Sequence, residues 1–226
     1  MHDEAVPQPG RPESLASLLG GGRGALDATL PVVAFAAAWL LTGRSVVWGG
    51  AAAVVVAGIV AWWRLRSGAR PRAVLIGALA VCASALVALY TGQGRDFFLI
   101  QIFSNLASAI VWALSIVLRW PLLGVVVGTV LGQKTRWRRD PALLRAYSRG
   151  SWVWVAQYLV RLGVFIPLWA AHAVVALGVA RGLLTWPLVA ACLAVSWWVI
   201  RRTLPAGHPG LRHPRSAVDA PADRAG

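Results

Sequence analysis

Acid is the scarcest chemistry in this chain. Of 226 residues only 8 are Asp or Glu, against 22 Lys or Arg, for a formal charge of +14, and Lys134 is the only lysine. No carboxylate falls in the middle of an apolar run, since Asp27 and Asp96 both stand at run ends. Proton- or sodium-coupled carriers usually place acids at mid-membrane, so that class loses its usual machinery. The two cysteines, Cys82 and Cys192, are isolated in apolar stretches. They form no metal spacing and read as small buried hydrophobes rather than a disulfide. Metal constellations, nucleophile elbows and phosphate loops are all missing from the sequence. No catalytic, metal or cofactor residue is therefore assigned, and a non-enzymatic protein is expected. A cleavable signal peptide is not expected either, because MHDEAVPQPG is acidic and Pro-rich where a signal needs a basic start and an apolar core.

Apolar length is what the chain has in excess. It is 58% hydrophobic and 13% charged with a mean hydropathy of +0.65, outside the soluble norm of roughly half apolar and a quarter charged. The excess falls in runs near the roughly 20 residues that cross a bilayer. The expected fold is all-α: a polytopic membrane helix bundle of about six transmembrane helices. The runs are about Ala28–Thr42, Val46–Trp63, Ala73–Tyr90, Phe97–Leu118, Trp152–Ala176 and Leu183–Ile200. Residues 1–22 read as a disordered start with a short interfacial helix at Pro12–Gly20, 23–202 as the membrane domain, and 203–226 as a disordered tail. Arg23 and Asp27 are spaced to pair if the first helix begins early. Pro31 near the start of the first run and Pro167 in the fifth are expected to disturb those helices. Thirteen tryptophans, many at run ends, fit an aromatic belt.

Between the fourth and fifth runs, residues 119–151 carry Arg119, Lys134, Arg136, Arg138, Arg139, Arg145 and Arg149 against Asp140. With six spans, 18 of the 22 basic residues fall on one side of the membrane and three on the other, Arg161 lying within a span. That bias places both termini and the basic loop in the cytoplasm. It also explains the basic charge without nucleic acid as a partner. Inside the loop, Pro121–Gly132 is apolar but, at about 18 Å as a helix, too short to cross. An interfacial element is favoured over a re-entrant one or a continuation of the fourth helix. Asp140 as N-cap and Pro141 at the first helical position open the next helix. Arg138, Arg139, Arg145 and Arg149 are candidates for contact with anionic lipid headgroups or a membrane protein partner. Positive-inside topology alone would equally place them there. The helix ends AWWRLR (61–66) and SWWVIRR (196–202) echo one another, as a Trp pair before Arg does at many cytoplasmic helix ends.

Polar residues within the runs are the remaining candidates. Gln101, Asn105 and Ser108 share one helical stripe, and Gln157, Arg161 and His172 another. Arg161 and Asn105 are both expected near mid-membrane, where side-chain oxygens of Gln101, Asn105 and Ser108 could satisfy the guanidinium. Such a cluster is either a polar pocket for an anionic or polar ligand, or interhelical glue.

The segments RGALDATLPVVAF, TGQGRDFF, SIVLRWPLLGVVVG, WRRDPALLRAYSRGSWVW and ALGVARGLLTWPL together resemble the actinobacterial membrane-protein family catalogued as domain of unknown function 3159, over about Arg23–Arg202. The resemblance implies a multi-pass inner-membrane protein with no established activity. More distantly, the layout is similar to bacterial intracellular septation protein A, which implies a link to cell-envelope synthesis and division. No functional residue is carried over from either.

Overall fold

The computed structural model describes residues 21–68, 71–132 and 135–205, with side chains from Thr29 onward. The expected Pro12–Gly20 helix, the Arg23–Asp27 pair and the polar tail lie outside the described residues. Seven α-helices are present among them: α1 (Gly21–Leu41), α2 (Val46–Arg66), α3 (Pro71–Thr91), α4 (Leu99–Val117), α5 (Leu122–Val130), α6 (Pro141–Ala170) and α7 (Val174–Thr203). Short 3-10 segments, Gly94–Phe98 and Arg136–Arg139, precede α4 and α6. Left-handed residues close several helices: Gly43 and Arg44 follow α1, Gly68 follows α2 and Gly92 follows α3.

Five helices are long and apolar enough to cross a membrane: α2, α3, α6, α7 and α4 with its leading 3-10 turn. The apolar part of α1, Thr29–Leu41, is shorter. Only 17–28% of each spanning window is buried inside the protein. Leu41, Ile76, Leu79, Leu86, Val117 and many other large apolar side chains are exposed. An exterior of that kind is stable only in lipid, and the chain is a polytopic membrane helix bundle.

Three helices depart from their expected bounds. The fifth apolar run was expected to continue to Ala176, but α6 stops at Ala170 and α7 starts at Val174. The turn between them is Ala171–Ala173, with His172 at φ +55°. Hydropathy does not register a turn made without Gly or Pro. As a result Arg181, expected in an outer loop, lies inside α7. α1 begins at Gly21, so Pro31 sits within the helix rather than near its start.

The helices close into a ring. α6 packs against α4 on one side and α7 on the other; α1 packs on α7 and α2, and α2 on α3. The 3-10 turn at Gly94–Phe98 joins α3 back to the bundle. Each neighbouring pair runs antiparallel. The ends of α2 and α7 and the start of α6 therefore meet at one end of the bundle, called here the basic end. At the opposite end Phe35 stacks on Phe97 at 4.0 Å, and Phe98 meets both edge-on. Small residues let backbones approach where lipid offers no hydrophobic drive: a Cβ on Gly49 would stand 3.1 Å from the Phe35 ring.

Candidate functional site at the α4–α6–α7 seam and the basic end

Along the α4–α6 contact the register is set by Trp112 and Trp154, whose rings stack at 5.1 Å and 7°. Two helical turns further from the basic end on each helix come Asn105 and Arg161, at the common level expected from the sequence. Asn105 is 2% exposed and Gln157 3%. Gln101 Nε2 donates to Asn105 Oδ1 at 3.3 Å. Asn105 Nδ2 and Gln157 Oε1 are buried without a hydrogen-bond partner, as is Arg161 Nε. Ser108 is half-buried beside them.

Arg161 is satisfied from a different direction than expected. Its Nη2 donates to the carbonyls of Leu184 and Thr185 on α7, both at 3.2 Å, and not to Gln101, Asn105 or Ser108. The reason lies in α7. Pro187 has no N–H for the Leu183 carbonyl, and its ring crowds the preceding turn; the two carbonyls that Arg161 takes follow directly in that turn. The arrangement brings Gln101 and Asn105 together but ties Arg161 to the third helix. Pro187, two residues beyond the second acceptor, was not singled out from the sequence.

At the basic end the loop is a folded unit. α5 has nine residues, about 13 Å of helix, and cannot cross a core of about 30 Å. It is also not a continuation of α4: Arg119 turns the chain at φ +56°, and Leu122 N–H donates to Ser115 Oγ at 3.3 Å. Leu123, Trp137, Leu143, Ala146, Tyr147 and Ile200 form a core of their own. Trp137 meets Tyr147 edge-on at 5.5 Å. Gly124 lies so close beneath them that a Cβ would fall 2.8 Å from the indole. Asp140 accepts from Ala142 N–H at 3.0 Å and Leu143 N–H at 3.3 Å, with Pro141 in the first turn, the cap expected from the sequence.

Around this core the arginines divide. Arg139, Arg145 and Arg149 are exposed, as are Arg136, Arg201 and Arg202. Arg138 is half-buried and lies 4.0 Å over the Trp120 ring, so it serves packing rather than an outer surface. The two Trp-Arg echoes share one geometry, Arg66 over Trp62 at 4.3 Å and Arg201 over Trp197 at 4.7 Å.

The opposite end holds a cluster that the sequence did not assemble. Trp169 Nε1 donates to the buried Asp96 Oδ1 at 2.9 Å. Arg95 reaches the Trp169 carbonyl at 3.3 Å and His172 Nε2 at 2.8 Å, and stacks on the Trp169 ring at 4.4 Å. These partners are more than 70 residues apart in sequence, so spacing carried no signal of them.

Fold and site together define a multi-pass, all-α membrane protein whose polar centres include a buried seam and a basic, folded loop. Residues 19–207 match the family described as Protein of unknown function (DUF3159), and the chain belongs to that family. No curated protein and no solved structure matches it.

Proposed function

We propose that this protein is a non-enzymatic inner-membrane factor that acts by contact in cell-envelope maintenance or division. Its basic end faces the cytoplasm with both termini and meets anionic headgroups or a membrane protein partner. The observation that carries the reading is the exposed set Arg139, Arg145 and Arg149 on a unit built over the buried core of Trp137 and Tyr147. Each such cation beside an anionic leaflet contributes about 1 kcal/mol of attraction. A fixed display of three loses less ordering entropy on contact than a flexible loop would. The likeness in layout to intracellular septation protein A supports the envelope assignment. A fluorescent protein on the C-terminus, followed through growth, tests it. Enrichment at septa or growing poles is expected, and its loss when Arg139, Arg145 and Arg149 are all changed to Gln. A uniform membrane signal from the unaltered protein counts against the proposal.

A second reading, a small transporter or channel subunit, is favoured by the unpartnered polar atoms of Asn105, Gln157 and Arg161 in the seam. Solute flux into proteoliposomes that disappears in Arg161→Leu, with the variant folded, would support it.

A further inference from the structure

A partly open cavity of about 250 Å³ lies between α1, α2, α3, α4 and α7, and neither Arg161 nor its two acceptors line it. Its walls are mostly small and apolar, with Val32, Ala57, Val74 and Val81 among them. Four polar features interrupt them. Arg64 stands at the basic end of α2, while Gln101, Ser104 and Arg181 line the wall on α4 and α7. Ser84 is also in the wall, but its hydroxyl already donates to the Ala80 carbonyl at 2.9 Å, which leaves it no proton to offer.

Arg181 is the group that needs explaining. It lies seven residues into α7, about 10 Å from the helix start, and it is half-buried. It makes no hydrogen bond or ion pair with any described residue. A like-signed neighbour is Arg161, whose guanidinium bonds the Leu184 and Thr185 carbonyls about one turn further along α7. Arg161 has carbonyl partners on α7, whereas Arg181 faces the cavity. The acids among the described side chains are Asp96, held by Trp169, and Asp140, which caps α6. A half-buried guanidinium within the apolar bundle, beside another one and with no acceptor among the described residues, is stabilised by negative charge placed in the cavity.

We infer that this cavity binds a net-anionic phosphate group, with Arg181 as its charged donor and Ser104 and Gln101 as neutral ones. A guanidinium matches phosphate oxygens with paired N–H donors. At roughly 30 Å³ per water, the volume holds such a group with a few waters but not a whole lipid. The phosphate belongs either to a free anion that enters past Arg64 or to a headgroup whose chains leave between α3 and α4, which touch only sparsely.

Thermal unfolding of the full-length protein in neutral detergent tests the site. One titration uses inorganic phosphate at constant ionic strength. A second uses phosphatidylglycerol in mixed micelles, with phosphatidylcholine as reference. Stabilisation by phosphate identifies a free anion, and stabilisation by phosphatidylglycerol alone identifies a headgroup. In either case Arg181→Gln should bind about tenfold more weakly or worse, and Arg44→Gln, at an exposed position outside this cavity, should bind normally. Gly77→Leu is the second variant: Gly77 lines the cavity, and a Cβ there meets open space. It should abolish the stabilisation while both arginines remain, which decides the matter if Arg181→Gln does not fold. No stabilisation of the unaltered protein by either ligand, or undiminished stabilisation of Gly77→Leu, overturns the inference.

Discussion

Arg161 on α6 donates at 3.2 Å to the carbonyl of Leu184 on α7, in the turn that Pro187 crowds. A neighbouring helix thus supplies a donor to backbone carbonyls beside the proline. The contact shows how a charged residue is accommodated within an apolar bundle. In lipid, water is not available to do the same.

The coupling between Arg161 and Pro187 is measurable. Arg161→Leu should cost about 1–2 kcal/mol of stability, the range of an interhelical hydrogen bond to a charged group in a membrane. In a Pro187→Ala background the Leu183 carbonyl regains its N–H and the turn holding Leu184 and Thr185 is no longer crowded toward Arg161, so the cost should fall by at least half. Thermal unfolding of the four proteins in one detergent gives the cycle. Additive effects would mean that the proline is not what makes Arg161 necessary.

At the basic end, Gly124 has no room for a side chain beneath Trp137. Gly124→Val should displace the indole, and Trp137→Ala should remove the centre of that small core, at about 3–5 kcal/mol locally. Because this core is separate from the one at the opposite end, both variants should keep their transmembrane helices. Trypsin should then cut the arginine-rich segment 136–149 much faster than in the unaltered protein. Unchanged cleavage would show that the unit is not held by this contact.

Asp96 serves two partners at once, Trp169 at 2.9 Å and Arg95 at 3.8 Å. Asp96→Asn preserves an acceptor for the indole and should be mild, within about 1 kcal/mol. Asp96→Leu leaves the indole N–H and the guanidinium of Arg95 facing an apolar side chain, and should cost about 3 kcal/mol or more. Equal midpoints for the two variants would remove Asp96 as the organiser of this end.

Topology is accessible to single cysteines. Arg139→Cys and Arg44→Cys place exposed thiols at opposite ends of the bundle. In intact cells a membrane-impermeant maleimide should label Arg44→Cys and reach Arg139→Cys only after the membrane is opened. Labelling of both in intact cells, or the reverse order, would overturn the orientation inferred from the arginine asymmetry.

What could be read in the sequence follows from one-dimensional physics. Apolar runs against bilayer thickness predicted the all-α membrane class, and the start of α2 falls at Val46 as expected. The cap by Asp140 with Pro141, the shortness of α5 and the shared level of Asn105 and Arg161 were also legible, because each depends on neighbours within a few turns or on helical rise alone. The bounds of α6 and α7 were not, since His172 makes their turn without Gly or Pro.

The rest required the third dimension. Sequence alone determined that Arg161 would lie deep and need acceptors. Only packing decided that these would be carbonyls of α7 beside Pro187 rather than side chains of α4. Composition alone determined that the loop would be basic; Trp137 and Tyr147, folded over Gly124, decided which of its arginines face outward. Arg181 looked like an outer-loop residue until the early start of α7 turned it into a cavity wall. A residue's cost in lipid is written in its own chemistry, but its partner depends on which helices become neighbours, and that is settled only when the bundle closes.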